Sequence, residues 1–218
     1  MRKLTPKNLP KNLAVMMGAA VLVAVACTTN GSVVQPMATS SGGDLLSIPT
    51  PVAQVADEPG DIVGGPGKPS GRPPALDRSI ASVPLDEILF DTFQGGAIAL
   101  SAASDSDIDR LRDAIVPIYE PRYEGPEGGD WLDDDDVVLG YQSESGAYAY
   151  PVKMLNLHEI VNDVIDGVPI LISYCPLCAS GVVYSRLLSG RELVFGNTSA
   201  LYESDLVMFD WETGSYWH

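Results

Sequence analysis

The chain has 218 residues, with 13 basic and 29 acidic side chains and a formal net charge of −16. An acidic body of this kind repels nucleic acid and anionic surfaces, so neither is expected as an electrostatic partner. Three cysteines and two histidines leave few side chains for thiol or soft-metal chemistry.

Residues 1–26 have the form of a secretory signal peptide. Arg2, Lys3, Lys7 and Lys11 precede an uncharged run, LAVMMGAAVLVAVA, from Leu13 to Ala26. That run is shorter than the roughly 20 residues needed to span a bilayer. Cys27 follows Ala24-Val25-Ala26, an arrangement similar to a bacterial lipobox with alanine at the usual leucine position. Cleavage before Cys27 and lipidation of its sulfur are expected, giving an extracytoplasmic protein anchored to a membrane by lipid. Losing the leader removes four bases and no acid, so the charge falls to about −20, which deepens the repulsion.

Residues 27–82 read as a Pro/Gly-rich linker. Eight prolines and eight glycines lie between Thr28 and Ile80 with no sustained apolar period. Such a segment cannot offset its ordering entropy, and a disordered tether is expected. Residues 83–218 are long enough for one core. VPLDEILFDTF leads in. A helix follows, capped by Ser106 or Asp107, with Ile108, Leu111 and Ile115 on its apolar face and Pro117 at its boundary. WLDDDDVVLG lacks the spacing of a calcium loop and reads as a charged turn. Val137–Tyr141 and Ala147–Tyr150 are predicted strands joined by the turn SESG. PVKMLNLHEIVND is predicted as a helix with Met154, Leu157, His158 and Val161 on one face. VPILISY and GVVYSRLL are predicted strands, and Ser189-Gly190 a turn into RELVFG. LVMFD, WETGS and YW continue the meander. The expected fold class is α+β, a mainly antiparallel sheet with a few short helices.

Several segments, in one order, carry a family likeness: GAYAYP, HEIVND, YCPLCASGVVYSR and FGNTSALYESDLVMFDWETGSYW. They resemble the prokaryotic domain of unknown function family 3179, from Gly146 to Trp217, with weaker likeness back to Val83. Two departures stand out. Members carry a glycine where this chain has Asn197-Thr198-Ser199-Ala200, so a tight turn is expected to differ. Members also continue past the tryptophan, so the resemblance implies a C-terminally truncated member. The resemblance implies no reaction.

With Cys27 assigned to lipid, Cys175 and Cys178 are the thiols left, spaced as CPLC. Three chemistries fit. As a staple, a disulfide over four residues is weak, about 2 kcal/mol by chain entropy. As a thiol–disulfide exchange pair, with Cys175 as the attacking sulfur, it lacks the following helix that lowers a thiol pKa in thioredoxin-like sites. As a metal clasp it needs more ligands. The favoured expectation is a cleft in which His158 joins Cys175 and Cys178 around zinc or copper. Met154, Met208, Glu159, Asn162, Ser204 and Asp205 are further cleft candidates, and His218 a fourth ligand. A non-enzymatic interaction module with CPLC as a rigid turn completes the alternatives. Glu159, Asn162 and Asp163 equally suit a structural role at the helix end.

Overall fold

A computed structural model describes residues 62–218. The expected signal peptide, Cys27 and the expected linker up to residue 61 lie outside the described residues. In chain order, β1 (Ile62–Val63), β2 (Leu89–Asp91) and β3 (Ala97–Ala99) precede α1 (Asp105–Leu111). Next come β4 (Arg122–Tyr123), a 3-10 turn (Pro126–Gly129), β5 (Val138–Gln142), β6 (Ala147–Pro151) and α2 (Val152–His158). The remaining elements are strands: β7 (Ile160–Ile165), β8 (Val168–Cys175), β9 (Ser180–Ser185), β10 (Leu187–Leu188), β11 (Arg191–Glu192), β12 (Phe195–Tyr202), β13 (Asp205–Asp210) and β14 (Tyr216–Trp217). The architecture is α+β and mainly antiparallel, as expected.

Two sheets dominate. One has five strands in the order β14-β13-β12-β2-β3, and the other has three in the order β7-β8-β9. Side-chain alternation explains how they stack. On β13, Val207 and Phe209 face one way and meet Ile108 and Leu111 of α1. Leu206 and Met208 face the other way and meet Ile160, Leu171 and Cys175 of the three-stranded sheet. The reverse face of that sheet, Val161, Ile170, Ile172 and Val183, packs on Leu139, Tyr150 and Leu155 of the β5–β6 hairpin and α2. The result is a layered body in which β8 is apolar on both faces, as its continuous apolar sequence requires.

Three expectations are corrected. The folded unit begins before Val83. β1 pairs with β4, the Gly64 amide donates to the Pro121 carbonyl at 2.9 Å, and Arg112 donates to the Pro74 carbonyl at 2.9 Å. This strap shows no apolar period because it docks largely through backbone. A Cβ on Gly65 (φ 92°) would stand 2.3 Å from the Tyr119 carbonyl oxygen, so only glycine allows that approach. Second, α1 is capped two or three residues earlier than expected: Ser104 is its cap, exchanging bonds with Asp107 in a capping box. It also stops at Leu111, short of Ile115. Third, α2 ends at His158, where Glu159 turns left-handed (φ 59°) and the chain enters β7. The β-branched pair Ile160-Val161 favours strand. Leu155 therefore turns into the core, while Leu157 is 71% exposed.

Candidate functional site

The CPLC segment is the tip of the β8–β9 hairpin. Cys175 ends β8 and pairs with Ser180 at the start of β9. The four residues between them turn back through Ala179, held at φ 48°, and the Cys178 amide donates to the Cys175 carbonyl at 3.2 Å. The two cysteines form a disulfide with their Cα atoms 5.2 Å apart. Their surroundings differ. Cys175 is 4% exposed, Cys178 is half-buried, and Leu177 between them is 81% exposed.

A second hairpin tip lies against the first. Glu203 and Ser204 connect β12 to β13 with φ of 49° and 63°, the pair of left-handed residues that suits a two-residue hairpin turn. The Ser204 carbonyl oxygen touches the Cys178 sulfur. Beneath the two tips is a cavity of about 30 Å³, room for a water-sized or ion-sized guest, lined among others by Ser173, Cys175, Tyr184, Asp205, Met208 and His218. Alternation places these residues: Ser173 and Cys175 share one face of β8, and Tyr184 projects from the same face of the neighbouring β9. Burial pushes the Tyr184 hydroxyl pKa up, and the nearby Asp205 carboxylate adds to the effect. The His218 ring stands edge-on to Tyr202, with centroids 4.8 Å apart.

Of the residues singled out in the sequence, Cys175, Cys178, Ser204, Asp205, Met208 and His218 gather at these tips. His158, Met154, Glu159 and Asn162 do not. His158 places Nδ1 2.8 Å from the Val116 carbonyl and does not line the cavity, so the Cys175/Cys178/His158 clasp is not assembled. Among the described residues no three His, Cys, Asp or Glu side chains form a group that could hold a metal ion. Met154 packs on the outer apolar cluster beside Leu155. Asn162 is a structural link: its Nδ2 donates to the Phe195 carbonyl at 2.8 Å and its Oδ1 accepts from the Phe195 amide at 2.7 Å, joining β7 to β12. Asp163 accepts from the Tyr150 hydroxyl at 2.6 Å and from Tyr123. Burial drives both phenol pKa values far up. The sequence signal missed Ser173, Ser180 and Tyr184. Their only trace was the period-2 pattern that puts them on the face shared with Cys175.

Glu159 accepts from Asn197 Nδ2 at 2.7 Å, and burial pushes its carboxyl pKa up. The folded state therefore binds this proton more tightly than the unfolded chain. Its proton-linked stability is full below the unfolded carboxyl pKa, about 4.3, and is lost as pH rises through the folded value. Glu159→Gln keeps the acceptor and removes the charge. It is expected to melt with wild type near pH 3.5 and above it at pH 7. Equal melting temperatures at both pH values would sink this assignment.

A larger groove of about 280 Å³ lies between the N-terminal strap and the five-stranded sheet. Its charges are internally matched: Arg72 with Asp109, Lys68 with Asp113 at 3.5 Å, and Arg112 with two backbone carbonyls. The Asp run is likewise a turn, with Lys153 2.9 Å from Asp133 and 2.5 Å from Asp136.

Residues 112–218 match the family model described as "Protein of unknown function (DUF3179)". The match runs from the residue after α1 through both cysteines to His218, and it supports the family resemblance carried by the motifs. No curated protein and no solved structure matches the chain.

Proposed function

We propose that this chain is an extracytoplasmic thiol–disulfide exchange protein, tethered by a lipid on Cys27, whose working group is the Cys175–Cys178 pair. One observation carries the reading: a disulfide sits on a hairpin tip with one sulfur half-exposed and the other buried beside a polar cavity. As a staple it adds little, because β8 and β9 are already zipped from Ile170 to Cys175 and the closed loop is only four residues. The same hairpin can therefore hold both the disulfide and the dithiol. An oxidising compartment supplies the oxidised form.

The access pattern reverses the roles expected from sequence. A partner thiolate attacks the Cys178 sulfur, the Cys175–Cys178 bond breaks, and Cys175 leaves with the bonding pair. Cys175 then takes a proton from solvent through the cavity. A second partner thiolate attacks the partner's own sulfur and releases Cys178. Two partner thiols become a disulfide, and two electrons and two protons pass to the pair. His218 lines the same cavity as Cys175 and is the one imidazole there.

The test is equilibration of the full-length protein in graded redox buffers, with thiols counted by mass after alkylation. A midpoint between about −270 and −120 mV, the span of exchange proteins, is expected. A midpoint below about −300 mV would make the bond a structural staple. A second reading rests on Cys175, Met208 and His218 lining one cavity: a soft-metal site, for zinc or Cu(I), that exists once the pair is reduced. Stoichiometric metal in the reduced protein, lost in Met208→Ala and in His218→Ala, would favour that reading instead.

A further inference from the structure

The tip that carries the disulfide also carries a side chain that the fold does not use. Leu177 is 81% exposed, the most exposed of the large apolar residues in the described chain, and it lies between the two cysteines. Its presentation is rigid. Pro176 fixes the backbone before it, the disulfide closes the turn around it, and β8 and β9 hold both ends. The adjoining tip adds charge of one sign: Glu203 and Asp205 are both exposed there, joined to the first tip by the Ser204–Cys178 contact.

From these features we infer that the exchange partner is a polypeptide thiol flanked by basic residues, which docks an apolar surface on Leu177. The inference rests on the exchange reading above and names its substrate class. A protruding tip cannot enclose a small thiol, but it can enter a concave or pliable polypeptide surface. Burying a leucine gives such a complex binding energy that a small thiol cannot collect. The acidic rim selects in the same direction. It repels small anionic thiols and attracts a thiol among Lys or Arg residues. Those cations also favour the thiolate, the form that attacks. Charge complementarity and nucleophile strength thus point to one kind of partner.

The experiment compares two reductants of the oxidised full-length protein. One is reduced, unfolded ribonuclease A, a basic polypeptide with several thiols. The other is dithiothreitol, small and uncharged. Leu177→Ser is expected to slow the reaction with ribonuclease about tenfold, in keeping with the loss of a buried leucine. The reaction with dithiothreitol and the midpoint potential are expected to stay as in wild type. Glu203→Gln is expected to slow only the ribonuclease reaction, and added salt to slow it further. Equal slowing of both reactions by Leu177→Ser, or no slowing of either, would overturn the inference. So would a wild-type protein that reacts with dithiothreitol but not with the polypeptide, although exchange itself would stand. A wild-type protein inert to both reductants would remove the exchange reading as well.

Discussion

Replacing Arg186 with methionine is expected to destabilise the protein by about 3–5 kcal/mol, a large share of the stability of a domain this size. Arg186 is 1% exposed and lies between β9 and β10. Its guanidinium reaches three separate strands or loops. Nε donates to the Ile170 carbonyl at 2.9 Å, Nη1 to Leu193 at 2.6 Å, and Nη2 to Asp163 at 2.9 Å. Glu192 lies 3.0 Å from Nη2. Methionine matches the stem but removes three buried hydrogen bonds from a charged donor, each worth about 1.5–3 kcal/mol. Lysine keeps the charge but not the planar fork, so Arg186→Lys is expected to fall between the two. Glu192 is 43% exposed on its side chain, so Glu192→Gln is expected to cost no more than about 1 kcal/mol. Denaturant midpoints of the three variants check the ranking. An Arg186→Met protein within about 1 kcal/mol of wild type would mean that the fork does not hold these strands.

The example of Arg186 also shows what the sequence could and could not convey. SESG and Ser189-Gly190 are local turn signals, and both hairpins form where the signals place them, with Ser189 and Gly190 at φ of 51° and 77°. The run VPILISY is apolar on both faces except at Ser173, and it becomes the strand covered on both sides. These features are readable because their physics is contained within a few neighbouring residues. Arg186 looked like an ordinary strand residue, because its partners are carbonyls brought together by tertiary packing. Asn162 looked like part of a helix end, yet it acts as a backbone mimic between two sheets. The CPLC turn was legible as the end of a strand. Its neighbour Ser204, 26 residues away, was legible only as one cleft candidate among several, since the contact itself depends on the register of β12 and β13. That register contains a break between Asn197 and Ala200. At the break, Ser199 takes φ 59°, near the place where the family resemblance led to the expectation of an altered tight turn. Its amide donates to Asn197 Oδ1 at 2.6 Å and its hydroxyl to the Leu111 carbonyl at 2.9 Å. Local bonds thus hold a non-glycine residue in a conformation that glycine adopts freely. Of the two histidines named as ligands, His158 ends α2 and bonds to the Val116 carbonyl, whereas His218 reaches the cavity.

Single-cysteine variants are expected to separate the two sulfurs by a wide margin. In Cys175→Ser, the remaining Cys178 thiol stands half-buried at the tip. It is expected to react with a maleimide at a rate near that of an open thiol and to attack a polypeptide disulfide, forming a mixed disulfide with one sulfur and releasing the other as a thiol. In Cys178→Ser, the remaining Cys175 is 4% exposed, behind the turn and above a cavity of about 30 Å³. Its alkylation is expected to be at least about a hundredfold slower, because the reagent must wait for local opening of the hairpin. Exchange turnover should vanish in both, since one thiol cannot accept two electrons and return as a disulfide. Mixed-disulfide formation should persist only in the first. The asymmetry follows from strand register alone. Cys175 ends β8 on the face that looks into the body, whereas Cys178 belongs to the turn, half-buried at the edge of the same cluster with its sulfur against the Ser204 carbonyl. If Cys175 in the Cys178→Ser protein were alkylated as fast as Cys178 in the converse variant, the hairpin would open freely in solution. The division of labour between the sulfurs would then be lost, along with the case for Cys178 as the point of attack.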